Sequence, residues 1–406
     1  MASSSSQGDQ EQQSSEWVIL GSIPRVLLPL PQSSEGQQEA FSLALMAPPR
    51  VSRLTVSGTS VFPKTPTPRH FPFVLAADPS GLLLLSAILP RPAPVKVFVD
   101  RGPGNNSFHW SDTEPRYFVL DAASGGSAAL RLPDPAIEPV MHQGYLGIIA
   151  SPSGGGRYMV AELQPLVGSD HATLLCFSSD LGEWVEKEVH YPLPLAVIGT
   201  ISHQGRLWWV DLSWGLITAD HPVLGFVPLP EGAVLQSREA WGVTDKFRYV
   251  GVSDGFQLGP PTQGPLLRHL GRPVLRRHGP AKKVPMLALI HPNDPRIVYF
   301  TLHDRLFGVD VKARKVIHCE TYNLVVPPSE YMANRFLRAW QLPRAISSGM
   351  ANWWSNGMTL VNEETASPRR PSSGGGSRAS RRKGMRITGL PGDYHLVGMS
   401  RQTFIG

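Results

Sequence analysis

One phrase recurs along the chain and restricts its fold more than any other feature: a short run of alternating apolar, β-branched or aromatic residues, an Asp or Gly turn, and a return run. Its first copy is Tyr117-Phe118-Val119-Leu120-Asp121, the turn Ser124-Gly125-Gly126, then Ala129 to Pro133. The second is Leu174-Leu175-Cys176-Phe177, the turn Asp180-Leu181-Gly182, then Trp184 to Val189 and Pro192-Leu193-Pro194. Gly215-Leu216-Ile217-Thr218, Asp220-His221-Pro222 and Phe226 to Pro230 form the third, and Leu306 to Asp310 with Lys315 to Cys319 the fourth. Each copy predicts a hairpin, because stiff side chains ending in residues that tolerate unusual backbone angles let the chain turn back on itself. Runs at Gly144–Ile149, Tyr158–Leu163, Gly205–Asp211 and Phe247–Val252 supply inner strands, so the predicted unit is a small four-stranded antiparallel sheet.

The turn aspartates Asp121, Asp180, Asp220 and Asp310 are 59, 40 and 90 residues apart, and the last interval reads as two steps with one turn missing. Units of roughly 40 to 50 residues fit an all-β, propeller-like array of short antiparallel blades, in which stacking buries faces that no blade buries alone. Two β-sandwiches are the alternative that strand alternation leaves open. Gly and Pro contribute 39 residues each and charged residues only 17% of the chain, which favours many short strands over long helices.

The longest apolar run, Leu82 to Leu89 with Ser86 inside it, is far shorter than the roughly 20 residues that span a bilayer, so no membrane crossing is expected. Residues 1–16 are Ser and Gln with Asp9, Glu11 and Glu16, and they are expected to be a disordered N-terminus. They lack the basic start and apolar stretch of a secretory signal, and a transit peptide would carry Arg and avoid acids. The expected location is therefore intracellular, in cytoplasm or nucleus. Cys176 and Cys319 each lie in an apolar run, which predicts buried thiols in a reducing compartment and excludes a disulfide scaffold or a Cys-rich zinc site.

The formal charge of +6 suggests nucleic acid until it is located. Residues 256–284 hold six Lys or Arg and no acids, and residues 361–406 hold eight against three, while the rest of the chain has 24 basic and 29 acidic residues. The patterned part is mildly acidic, so nucleic acid is not the expected partner. Residues 256–284, with Arg276-Arg277-His278-Gly279-Pro280, break the strand pattern where the turn is missing, and read as an irregular basic insertion, a docking loop or a damaged blade. The patterned domain is expected over 17–343. Within it Ser329 to Pro343 reads either as a helix followed by a strand or as one closing strand, and 344–406 as a disordered basic tail. In that tail Arg369, Arg370, Arg381, Arg382 and Lys383 have the spacing of a bipartite nuclear import signal.

No catalytic, cofactor-binding or metal-binding set is expected. There is no Gly-x-Ser-x-Gly elbow. His203, His291 and His303 with Asp211, Asp294 and Asp304 have the chemistry of a metal or acid-base site but no helical metal spacing, and they read as turn residues. Gly154-Gly155-Gly156-Arg157 leads into a strand and not a helix, so it reads as a hairpin loop, not a phosphate cradle. Trp208, Trp209 and Trp214 are the candidate interaction surface: alternation sends Trp208 and Val210 one way and Trp209 and Asp211 the other, and one face is expected to be core.

The run His203-Gln204-Gly205-Arg206-Leu207-Trp208-Trp209-Val210-Asp211-Leu212-Ser213-Trp214-Gly215-Leu216 resembles the central signature of the uncharacterised family DUF1618. Trp17-Val18-Ile19-Leu20, Val298-Tyr299-Phe300 with Leu306 to Asp310, and Pro327-Pro328-Ser329-Glu330-Tyr331 leading to Arg338-Ala339-Trp340 are similar to the same family. The resemblance covers about residues 17–343 and implies a plant, grass-expanded origin and a β-rich domain in the style of the propellers that accompany F-box proteins. It brings no activity and no catalytic residues, and the chain departs from its pattern at 256–284 and after Pro343. An F-box role itself is unsupported, because the residues before Trp17 show no helical leucine pattern. The expected function is a non-enzymatic scaffold with an unidentified protein partner. The alternatives are an enzyme holding a metal or sugar-type ligand in a central funnel and, more weakly, a nucleic-acid-associated protein acting through its basic tails.

Overall fold

The computed structural model describes residues 17–27, 41–57, 71–99, 107–124, 129–135, 145–151, 155–166, 169–191, 199–220, 223–230, 234–235, 248–253, 285–302, 304–322, 336–347 and 395–400. The first sheet holds β1 (Trp17–Gly21), β2 (Arg25–Leu27), β3 (Phe41–Ala44) and β4 (Val51–Ser57). The second is the meander β5 (Phe73–Ala77), β6 (Leu82–Val99), β7 (Ser107–Asp121), β8 (Ala129–Arg131). The third runs β9 (Leu146–Ala150), β10 (Tyr158–Pro165), β11 (His171–Ser178), β12 (Glu183–His190), and the fourth β13 (Gly199–His203), β14 (Arg206–Asp211), β15 (Gly215–Asp220), β16 (Val223–Pro228). After β17 (Arg248–Ser253) comes the sixth sheet, β18 (Met286–Ile290), β19 (Ile297–Leu302), β20 (Arg305–Asp310), β21 (Lys315–Thr321). β22 (Leu337–Gln341) returns to the first sheet, and β23 (His395–Ser400) pairs with β17 to make the fifth.

The described residues are nearly all β, and four of the six sheets are four-stranded antiparallel meanders, as the recurring phrase predicts. In every meander the phrase supplies the last two strands: β7–β8, β11–β12, β15–β16 and β20–β21. The hairpin turns follow from local residue chemistry. Gly155 and Gly156 adopt positive φ between β9 and β10, and Gln204 and Gly205 do so between β13 and β14, a backbone region where glycine meets no Cβ penalty.

Because side chains alternate across a strand, each sheet has two apolar faces, and each face packs on a different neighbour. Val18 and Leu20 meet Leu83 and Leu85 between the first and second sheets, and Leu84 and Val119 meet Ile148 and Val160 between the second and third. Ala161 and Leu163 meet Leu207 and Trp209 between the third and fourth, and Trp208 and Val210 meet Val250 of the fifth. Tyr249 of the fifth packs on Leu287 and Phe300 of the sixth, and Leu289 and Tyr299 of the sixth return to Trp17 and Ile19 of the first. The succession of cores closes on itself. β22 completes that closure by pairing antiparallel with β1, Trp17 opposite Gln341 and Gly21 opposite Leu337; a strand here belongs to both readings of Ser329 to Pro343, and residues 329–335 lie outside the described residues.

Two expectations change. Cys319 is exposed on β21, the edge strand of its sheet, and Cys176 is half-buried on the inner strand β11; both are free thiols. The apolar run at Leu82 is the start of β6, whose neighbours Leu83, Leu84 and Leu85 are wholly buried between two sheets. β23 lies inside 344–406, so the expectation of disorder does not extend to 395–400. The expectations for residues 1–16, for 256–284 and for the Arg369, Arg370, Arg381, Arg382, Lys383 cluster lie outside the described residues. No helix among the described residues is long and apolar enough to cross a membrane.

Candidate functional site

The tryptophan cluster occupies the joint between the third, fourth and fifth sheets. Trp209 is 0% exposed, and its indole Nε1 donates to the Tyr145 carbonyl at 2.8 Å. Trp208 is 3% exposed and faces the core shared with Val250. The sequence left one face open to solvent, but both are packed, because β14 is an inner strand with a sheet on either side. Trp214 alone is half-buried, at the turn into β15, where its carbonyl accepts the Leu229 N–H at 2.9 Å.

Beside these tryptophans lie Asp211, which the sequence read as a turn residue, and Arg248, which sequence reasoning missed. Asp211, 2% exposed, ends β14 and accepts the Ser213 N–H at 2.6 Å through Oδ1. Arg248, 5% exposed, opens β17 and donates from Nη1 to the Leu212 carbonyl at 2.6 Å. Burial lowers the pKa of this guanidinium and the Asp211 charge opposes that shift, the behaviour of a buried cation with a nearby counter-charge. Burial, with Tyr145 and Asp211 as neighbours, also holds the Tyr191 hydroxyl protonated. The cue in the sequence was an Arg opening an otherwise apolar strand.

A second polar centre lies where inner strands converge. Asp78, 4% exposed, follows β5; its Oδ1 accepts the Ser80 N–H at 2.8 Å and its Oδ2 accepts the hydroxyl of Ser202 on β13. Its carbonyl accepts Trp340 Nε1 from β22 at 2.9 Å. One residue thereby ties the second, fourth and first sheets, and the Asp-Pro-Ser-Gly turn after an apolar strand was its only trace in the sequence. Between the second and third sheets, Glu162 is 0% exposed and accepts from Gln164 Nε2 at 3.0 Å. The Tyr117 hydroxyl, kept protonated by burial and by the Glu162 charge, has no hydrogen-bond partner among the described residues.

The histidines and aspartates considered for a metal or acid-base site do not converge. His203 and Asp211 belong to the fourth sheet, while His291 and Asp294 form a turn of the sixth; Asp304 is a turn residue and His303 lies outside the described residues. His291 Nδ1 accepts the N–H groups of Asn293 at 3.1 Å and Asp294 at 3.0 Å. Asp294 is bound at both oxygens by the Arg296 side chain, at 2.9 and 2.8 Å, and that hydrogen bonding holds its carboxyl below the usual range. Among the described residues no group of three or more His, Cys, Asp or Glu is arranged to hold a metal ion.

No curated protein matches the chain. A solved structure from Bacteroides ovatus, named as a candidate dipeptidyl aminopeptidase IV, is similar at 11% identity over 59% of this chain and 32% of that one. Its TM-score of 0.22 is too low to carry an argument about fold or activity. Residues 209–259 match the family described as Protein of unknown function (DUF1618), and this segment runs from buried Trp209 through Asp211 and Trp214 to Arg248 and β17. The likeness to DUF1618 is thus confined to the segment that forms the joint between the fourth and fifth sheets.

Proposed function

We propose that this protein, similar to DUF1618 over residues 209–259, is a non-enzymatic interaction scaffold, a closed ring of six sheets of the propeller kind that displays its loops to a protein partner. The observation that carries this reading is what the candidate acid and base side chains do: Asp78, Asp211, His291 and Asp294 each accept backbone N–H groups of their own turns. Groups engaged in this way set loop shape, and function on such a frame falls to the loops. In this reading the protein works in cytoplasm or nucleus, with Trp214 as the one member of its tryptophan cluster near a surface and Arg369, Arg370, Arg381, Arg382 and Lys383 as an import signal.

Cross-linking mass spectrometry on the protein purified with its native partners tests the scaffold. Cross-links should converge on the loops at one end of the ring, and the protein should co-purify at fixed stoichiometry. A small-molecule ligand retained at the convergence of the inner strands, with no reproducible partner, would favour a ligand-binding enzyme. Partner loss on nuclease treatment would favour the nucleic-acid reading.

A further inference from the structure

β17 differs from the other inner strands. In the second, third, fourth and sixth sheets the first strand pairs antiparallel with the next strand in sequence. β17 pairs in parallel with β23, with Arg248 opposite His395, Val250 opposite Val397, Gly251 opposite Gly398 and Ser253 opposite Ser400. Three of those six register pairs join identical residues. β17 is also fixed independently of its partner. Arg248 anchors one end to the Leu212 carbonyl at 2.6 Å, Val250 packs on the fourth sheet, and Tyr249 packs toward the sixth. A Cβ at Gly251 would lie 2.5 Å from Tyr249 Cε1, so glycine lets the ring lie along the strand. Both faces are therefore committed to packing, and among the described residues the backbone edge that pairs is the one carrying β23.

We propose that this edge is a strand-accepting site, a receptor for an extended peptide segment, and that its occupant is the chain's own residues 395–400. Strand addition of this type takes its affinity from main-chain hydrogen bonds along a fixed edge. Parallel pairing is slightly less stable per residue than antiparallel, so the occupant is exchangeable. The 47 residues between Ser347 and His395 make occupancy a binding event, favoured by tethering, and not a consequence of chain continuity. The inference is read from β17 itself and stands whether or not the scaffold reading does.

Hydrogen exchange read by mass spectrometry tests it. In a chain ending at residue 394 the amides of 248–253 should exchange at least about tenfold faster than in the full chain, as expected when an edge loses its hydrogen-bonded partner. Residues 199–220 and 286–310 should be unchanged. A synthetic peptide of residues 393–402 should restore protection, and the same peptide carrying V397P and G398P should not. Adjacent residues of a strand direct their N–H groups to opposite edges, so one of the two prolines must remove a ladder bond. Equal exchange with and without the terminal segment, or equal rescue by both peptides, overturns the proposal. If the shortened chain unfolds throughout, the full chain carrying V397P and G398P is compared instead: loss of protection confined to 248–253 supports the site, and unchanged protection overturns it. A shortened chain that dimerises with β17 still protected makes a second copy the occupant and overturns the assignment to 395–400.

Discussion

Asp78 uses both carboxylate oxygens and its carbonyl to hold groups from three sheets; removing the carboxylate orphans the Ser80 N–H and the Ser202 hydroxyl, while the carbonyl keeps Trp340. Asp78→Ala should lower unfolding free energy by about 2–4 kcal/mol, since a buried donor left unsatisfied costs roughly 1–3 kcal/mol. Urea denaturation measures this, and a cost below about 1 kcal/mol would show that the contacts re-form elsewhere. Arg248→Met should cost about 3 kcal/mol, because it strips the Leu212 carbonyl of a charged donor and leaves Asp211 buried without its counter-charge. Combining it with Asp211→Leu should restore part of that loss in a double-mutant cycle. His291 gives a pH signature. Burial holds its pKa below the ordinary 6.5, although the nearby Asp294 charge pulls the other way. A group with a folded pKa below its unfolded value binds fewer protons when folded. Its contribution is thus present at neutral pH and lost as pH falls through 6.5 toward the depressed value. The denaturation midpoint should fall between pH 7.5 and 5.5, and His291→Asn, whose amide oxygen suits the same turn, should remove that step.

Among the elements, two glycines record how closely the strands approach. A Cβ at Gly147 of β9 would lie 2.6 Å from Thr200 Cγ2 of β13 and 2.7 Å from Leu207 Cδ2, and one at Gly215 would strike the Val227 carbonyl of β16. Both Gly147→Ala and Gly215→Ala should destabilise, the second more, because a backbone carbonyl yields less than side chains do; overpacking of this kind costs about 1–3 kcal/mol. Thermal melts that rank them the other way would place the slack in β16. These elements also show what the sequence made legible. The outer hairpins β7–β8, β11–β12, β15–β16 and β20–β21 were readable because an edge hairpin alternates cleanly and ends in a turn residue. The first sheet was not: β1 is buried on both faces and pairs with strands far along the chain, so neither alternation nor a local turn announces it. The same physics hid the site. Asp78 and Arg248 find partners in other sheets, and single-residue spacing carries no record of contacts across sheets.

At the scale of the molecule, each sheet lends its two faces to different neighbours, so no sheet holds a complete core alone. Deleting residues 1–21 removes β1, whose five residues are all buried, and with it part of the cores of the first and sixth sheets. Calorimetry should then show loss of the cooperative transition and not a small shift in midpoint; a sharp transition within a few degrees of the parent would mean that the remaining sheets fold as a unit. The pairing of β1 with β22 also has a consequence for biosynthesis. On the ribosome, one backbone edge of β1 must wait for Gln341 to emerge, 324 residues after Trp17. At the usual pace of about 5–20 residues per second this wait is roughly 16 to 65 s, during which the nascent chain carries an unsatisfied strand that is open to the wrong partner.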